Sequence, residues 1–180
     1  SSIEYEVRNN LLTKFDAFLI IDLPVRNYIK NELFAHTIGY LGIPNQDEFN
    51  IFQNASGNNQ VGKNGLERYY EDYLSGIPGE LTFLGSEIID SKQPIRGRDL
   101  FLSIDSSTQL VTKESLQQGI DLANKSFESI NQIKRGASVV LDIETGNIVS
   151  MVSLPDFNPN KFVSGISEFE YKQLDRDCLL

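Results

Sequence analysis

The chain has 180 residues, 40% hydrophobic and 23% charged, with a formal net charge of −9. That balance belongs to a globular chain with room for one ordinary domain or two small ones. An acidic chain repels phosphate backbones, so nucleic acid is excluded as a partner; with one cysteine, Cys178, and one histidine, His36, there is no intrachain disulfide, no cysteine-rich zinc site and no easy route to a Ser-His-Asp triad, and neither metal nor cofactor is expected.

The N-terminus carries no signal-peptide pattern, since Glu4, Glu6 and Arg8 break up any apolar core. No stretch approaches the roughly 18 uninterrupted apolar residues of a membrane span. The most apolar run, Phe15 to Leu23, is rich in β-formers and reads as a buried strand, ended or redirected by Pro24. His36 to Leu41 is a second short apolar stretch, closed by Gly42 and Pro44; His36 itself reads as a packed or hydrogen-bonded residue. From Asn45 to Gly62 the chain turns polar, with five Asn and three Gln, and reads as a loop. A helix is expected from Asn64 to Leu74. Asn64 and Glu67 have capping-box spacing, and Leu66, Tyr69, Tyr70, Tyr73 and Leu74 recur at helical spacing before Gly76 and Pro78.

Leu81 to Asp90 is a strand candidate, and the polar stretch Ser91 to Gly97 is the best candidate for a module boundary. Asp99 to Asp105 reads as another strand. Ser106 and Gln109 form a second capping box, after which Leu116, Ile120, Ala123 and Phe127 mark one face of a helix of about five or six turns. Ala137 to Ile143 and Ile148 to Val152 form a β-hairpin around Glu144-Thr145-Gly146-Asn147, with Gly146 supplying the positive φ such turns need. After Pro155 the chain is turn-rich, and a short amphipathic helix is expected at Ser167 to Leu174. Tyr69, Tyr70 and Tyr73 read as core packing or, alternatively, as a partner-binding face; Gly62 and Gly65 read as backbone devices.

Several of these segments, in order, resemble the class B penicillin-binding proteins of the penicillin-binding protein 2 type. His36-Thr37-Ile38-Gly39-Tyr40-Leu41-Gly42 is similar to the family's His-x-x-Gly-Tyr-x-Gly stretch. Val61-Gly62-Lys63-Asn64-Gly65-Leu66-Glu67, with Tyr70, Leu74, Gly76 and Gly79, resembles its Val-Gly-x-x-Gly-Leu-Glu helix. Pro94, Gly97 and Leu100 to Asp105 with Gln109 resemble the segments that open the transpeptidase module. Ala137 to Asp142 and Thr145 to Ser153 resemble its first hairpin, and Pro155, Asp156, Asn158, Pro159, Asn160 and Phe162 the turn that follows. Pro24-Val25-Arg26-Asn27-Tyr28 is similar to a pedestal segment around a conserved arginine.

The resemblance implies an α+β fold: a mixed pedestal (dimerisation) domain of short strands and helices over residues 1–95, then an incomplete transpeptidase-like α/β sandwich over residues 96–180. The family's chemistry needs a Ser-x-x-Lys nucleophile, so that an activated hydroxyl attacks an acyl-D-alanyl carbonyl. This sequence contains neither Ser-x-x-Lys nor Lys-Thr-Gly. The nucleophile is expected shortly after residues like Asp177 to Leu180, so no activity and no catalytic residue is expected in these 180 residues.

The resemblance implies a membrane-anchored parent on the extracytoplasmic face of a bacterial cell membrane, a D,D-transpeptidase that cross-links peptidoglycan in elongation. Implied partners are a membrane glycosyltransferase of the shape, elongation and division class and a rod-shape scaffold; self-association through the incomplete sheet is a further expectation. Arg26, Gly62, Gly65, Glu67 and Tyr70 are the structural or interaction residues, with Arg26 and Glu67 expected to form an ion pair that fixes the Gly62–Gly65 turn. The alternatives are a stand-alone scaffold without a catalytic half, a nucleotide-binding protein and a carboxylate-based hydrolase. The nucleotide reading rests on Gly57 to Asn64, a stretch one residue short of a P-loop that offers Asn64 where a magnesium-binding hydroxyl is needed. No acidic pair sits in a hydrolase signature.

Overall fold

A computed structural model describes residues 25–52, 60–85, 87–126 and 132–176. The expected strand from Phe15 to Leu23, Phe127, Cys178 and Gly57 to Asn59 of the P-loop-like stretch lie outside the described residues. The described part is mixed α+β. A 3-10 turn at Asn31–Phe34 leads into α1 (Ala35–Ile38), followed by β1 (Leu41–Gly42), α2 (Glu48–Ile51), β2 (Val61–Gly62), α3 (Gly65–Tyr69) and α4 (Glu71–Leu74). Then come β3 (Glu80–Leu84), β4 (Glu87–Lys92), α5 (Ser106–Ser126), β5 (Gly136–Leu141), β6 (Ile148–Leu154), α6 (Asn160–Val163) and α7 (Glu168–Arg176). Among the described residues the strands form three separate antiparallel pairs, β1–β2, β3–β4 and β5–β6. Among the described residues, no helix is long and apolar enough to cross a membrane.

The β5–β6 hairpin forms where local signals are strongest. Gly136 pairs with Leu154 and Val140 with Ser150, and the register slips by one residue before Leu141 meets Ile148. Gly146 closes the turn at φ 73°, and the Asp142 carboxylate accepts the Glu144 N–H at 2.9 Å. Alternation buries Ser150, Val152 and Leu154 on one face of β6. Against that face lie Ile120 and Leu116 of α5. Gly136 lets the helix come close, since a Cβ there would sit 3.1 Å from Leu116 Cδ1. A second core cluster joins segments far apart in the chain: Ala35 of α1 packs with Phe157 and Phe162, flanked by Tyr40, Ile166 and Leu174.

Several expectations need correction. The stretch from Leu81 to Asp90 is not one strand but a hairpin, reversed around Gly85 at φ 66°, and β4 runs on to Lys92 into the expected boundary segment. Every described residue of β3 and β4 is exposed, so the hairpin stands off as an arm, tied at its base by the Ile77–Ile95 bridge. The helix expected from Asn64 to Leu74 breaks at Tyr70 (φ −108°) into α3 and α4. The apolar stretch from His36, for which the sequence sets no element, is helical as far as Ile38. Asp99 to Asp105 forms no ladder, although Ser103 Oγ donates to Ile148 O and Asp105 N to Val149 O, laying the segment along the outer edge of β6.

Neither expected capping box closes. The Asn64 side chain makes no cap hydrogen bond, because Gly39 packs tightly against it and Glu67 turns to Arg26. At α5 the cap is Asp105, not Ser106. Asp105 accepts from Ser107 Oγ, Thr108 N and Thr108 Oγ1, and those bonds, the Ser107 hydroxyl first, draw its carboxyl down to about 2. The one reciprocal box at a helix expected from the sequence belongs to α7, where Ser167 and Glu170 exchange bonds.

Candidate functional site

Two polar assemblies dominate the described structure. The first is built around β1–β2 and α3. Glu67 is buried at 4% exposure, which isolates a carboxylate from water and demands a partner. Arg26 supplies it side-on, Nε to Oε1 at 3.0 Å and Nη2 to Oε2 at 3.1 Å. The two residues expected to meet therefore do meet, and the pair draws the Arg26 segment onto α3. Beside it, Glu71 is also buried and accepts the Gly62 N–H at 2.7 Å. Burial, with Glu67 and Asp72 nearby, pushes the Glu71 carboxyl up despite that bond. The Tyr28 hydroxyl is enclosed in the same pocket and pushed above its usual range by burial and by the charge of Glu67.

A third buried carboxylate, Glu48, carries no motif that marks it in the sequence reading. It takes Lys63 Nζ on Oε2 and Arg68 Nη1 on Oε1 at 2.7 Å, and it exchanges hydrogen bonds with Asn45. Burial pushes its carboxyl up, but Lys63, the Asn45 amide and Arg68 outweigh this and hold it below the usual glutamate range. The Asn45-x-x-Glu48 spacing is the available signal. Lys63, the lysine of the P-loop-like stretch, is committed to this carboxylate rather than presented to a phosphate. Arg68 also lies over the Phe52 ring at 5.7 Å. Together with Ile51, Gly65 and Tyr69 these two line an open groove of about 430 Å³.

Gly62 and Gly65 sit where chains come closest. A Cβ on Gly62 would stand 2.2 Å from Glu67 C, and Gly65 adopts φ 59° with backbone of Ile38 at 2.7 Å from a Cβ. Tyr70 is half-buried between the rings of Tyr69 and Tyr73, whereas Tyr69 is 79% exposed.

Breaking the Arg26–Glu67 pair should cost about 2 kcal/mol for Arg26→Ala, less than a fully buried pair because Arg26 keeps 40% of its side chain in solvent. In a urea double-mutant cycle with Glu67→Ala, a coupling of about 1 kcal/mol is expected; additive single-mutant effects would show that the two charges do not act together.

The second assembly is the seam between residues 28–60 and residues 109–163. There, side chains grip the backbone of the opposite part. Asn160 exchanges two bonds with Tyr28, its Oδ1 accepting Tyr28 N and its Nδ2 donating to Tyr28 O. His36 Nε2 lies 2.8 Å from Pro155 O, Thr37 Oγ1 donates to Met151 O, and Gln60 Nε2 donates to Val163 O. Gln109 Nε2 donates to Leu33 O. Gln109 and Asn160 are absent from the residues that the sequence marks as a site. The signal for Gln109 is a polar residue in register with Leu116 and Ile120 on the apolar face of α5. Among the described residues, no three His, Cys, Asp or Glu side chains are grouped to hold a metal ion. What the two assemblies do is fix one segment of chain on another.

A family model described as the penicillin-binding protein dimerisation domain matches residues 3–102. The chain is 37% identical over 169 residues to a peptidoglycan D,D-transpeptidase MrdA of Acinetobacter baumannii, covering 89% of this chain and 23% of the relative. It is 35% identical to the MrdA of Haemophilus influenzae, covering 84% and 23%. The chain thus spans about a quarter of the length of these relatives. Among solved structures it superposes on Pseudomonas aeruginosa PBP2 in complex with WCK 5153 at TM-score 0.63 and 35% identity, covering 84% of this chain and 28% of that one. It superposes on Helicobacter pylori PBP2 in complex with MreC at TM-score 0.66 and 28% identity, covering 96% and 31%.

Proposed function

The chain belongs to the penicillin-binding proteins that carry the dimerisation domain, and from that membership we propose that it is the non-catalytic N-terminal region of a peptidoglycan D,D-transpeptidase acting in cell-wall elongation. Its work is to place the catalytic module and to present surface to partners. The observation that carries this reading is the seam: among the described residues, six hydrogen bonds join residues 28–60 to residues 109–163, in each of which a side chain holds backbone of the opposite part. A seam of that kind sets orientation without supplying a reactive group. Residues 1–95 act as the pedestal and residues 96–180 as the opening of the transpeptidase module, on the extracytoplasmic face of a bacterial membrane.

The partner kind we propose is a rod-shape scaffold, as the Helicobacter pylori relative's complex with MreC suggests, together with a membrane glycosyltransferase. Self-association is proposed through the outer edge of β5, where Val139 and Leu141 are exposed. The test is one preparation of the 180-residue polypeptide, incubated with a fluorescent penicillin and then sedimented with a purified scaffold protein of the MreC kind. The expected result is no covalent label and a co-sedimenting complex. Covalent labelling would end the non-catalytic reading, and sedimentation as a free monomer at every scaffold concentration would end the partner reading.

A further inference from the structure

Gln109 is 1% exposed and lies in the first turn of α5, at the centre of the seam. A primary amide has two donors and an oxygen with two lone pairs, and all are used. Nε2 donates to Leu33 O at 3.0 Å and Met151 O at 2.7 Å, while Oε1 accepts Ser150 Oγ at 2.9 Å and Met151 N at 2.8 Å. The backbone of Met151 is thus read on both its N–H and its C=O by one side chain, as a neighbouring strand would read it. Thr37 Oγ1 adds a second donor to Met151 O. The fourth contact, to Leu33 O, leaves this strand edge for the 3-10 turn that opens α1.

We propose that Gln109 is the positioning residue that sets the first part of the chain on β6, its amide acting as a surrogate strand on the Met151 side and as a tether on the Leu33 side. The inference deepens the proposed function by naming the residue through which the pedestal is oriented. It rests on that reading only for its biological meaning, because the coupling can be measured in the chain without partner or penicillin.

The two sides of the amide can be separated chemically. Glu at this position keeps two acceptor oxygens for Ser150 Oγ and Met151 N but loses both donors, so a carboxylate faces the oxygens of Leu33 and Met151. Such a group holds its proton to higher pH, and the protonated form regains one donor. Gln109→Met keeps the volume and loses all four bonds.

The experiment uses spin labels at exposed Tyr69 and exposed Ile143, in a Cys178→Ser background, with distances read by pulsed electron resonance. The wild-type pair should give one narrow distance at all pH values. Gln109→Glu should broaden it at about pH 8 and narrow it again toward about pH 5, the sign expected of a carboxyl that regains its donor on protonation. In Gln109→Met the Met151 amide should exchange about tenfold faster; Ser150→Ala, which removes one acceptor contact and leaves the tether, should keep the narrow distance. A wild-type distance in Gln109→Glu at the higher pH, or a broadened one that pH does not move, would overturn the assignment. So would loss of all far-UV signal in both variants, which would make Gln109 part of one indivisible core. Penicillin labelling and scaffold binding enter none of these readings, so either proposal can fail alone.

Discussion

Phe157→Ala is expected to lower the stability of the chain by about 3–5 kcal/mol, the range for truncating a fully buried aromatic. Phe157 is 3% exposed. Its ring meets His36 edge-on at 5.1 Å, Tyr40 at 5.9 Å and Phe162 at 5.7 Å, while Tyr40 stacks on Phe162 at 3.8 Å. Such edge-to-face pairs contribute about 0.5–1.5 kcal/mol beyond the area they bury. The cavity would open between α1 and the segment after β6, beneath the His36–Pro155 contact. Because Ala35, His36 and Tyr40 come from the first part of the chain and Phe157 and Phe162 from the second, both parts should lose stability together. Urea unfolding followed by tyrosine fluorescence and by far-UV circular dichroism should give coincident transitions shifted by the same amount. Two separated transitions, one unshifted, would show that the parts do not share this core. Phe169→Ala, at a position 72% exposed, should change stability by no more than about 0.5 kcal/mol.

That shared core marks the limit of what the sequence makes legible. The β5–β6 hairpin, its Gly146 turn, the long helix before it and the short helix after Ser167 are all legible, because each is specified by residues within a few positions of one another. The two capping boxes mislead for the complementary reason. Asn64–Glu67 and Ser106–Gln109 have the right spacing, but Glu67 is claimed by Arg26, 41 residues away, and Gln109 by Leu33, 76 residues away. A local pattern carries no information about such competitors. The buried carboxylates Glu48, Glu67 and Glu71 look like surface charges in a chain of net charge −9, and only their cations and amide donors reveal that they are inside. Arg26 and Glu67 each stand in a family-like motif, which singles them out as a candidate pair, but their contact is seen only in the structure. The Tyr69–Tyr73 stretch fails as a single helix because helical spacing does not register a break at one residue. The seam as a whole is not visible, since its side chains hold backbone atoms, and a carbonyl acceptor leaves no signature in a sequence.

Gly62→Ala should be nearly as costly as Phe157→Ala, about 3 kcal/mol, at the upper end of what overpacking does. The added Cβ would lie 2.2 Å from Glu67 C, 2.3 Å from Glu67 O and 2.4 Å from Arg68 N. All three are backbone atoms of α3, so no side chain can swing aside; either β2 or the helix must move. Moving β2 breaks the Leu41–Gly62 pairing and the Gly62 N–H bond to buried Glu71. Moving α3 carries Glu67 away from Arg26 and Arg68 away from Glu48. Each escape strips a buried carboxylate of a donor, which is why the cost should exceed that of the methyl group alone. Gly119 supplies the control. It lies inside α5, and a methyl group added there would meet nothing within 4 Å, so Gly119→Ala should stabilise the chain by about 0.5–1 kcal/mol through helix propensity. Opposite signs from the same chemical change, read as urea midpoints, would locate the constraint at the β2–α3 contact. Equal and small effects would mean that Gly62 is not held between them.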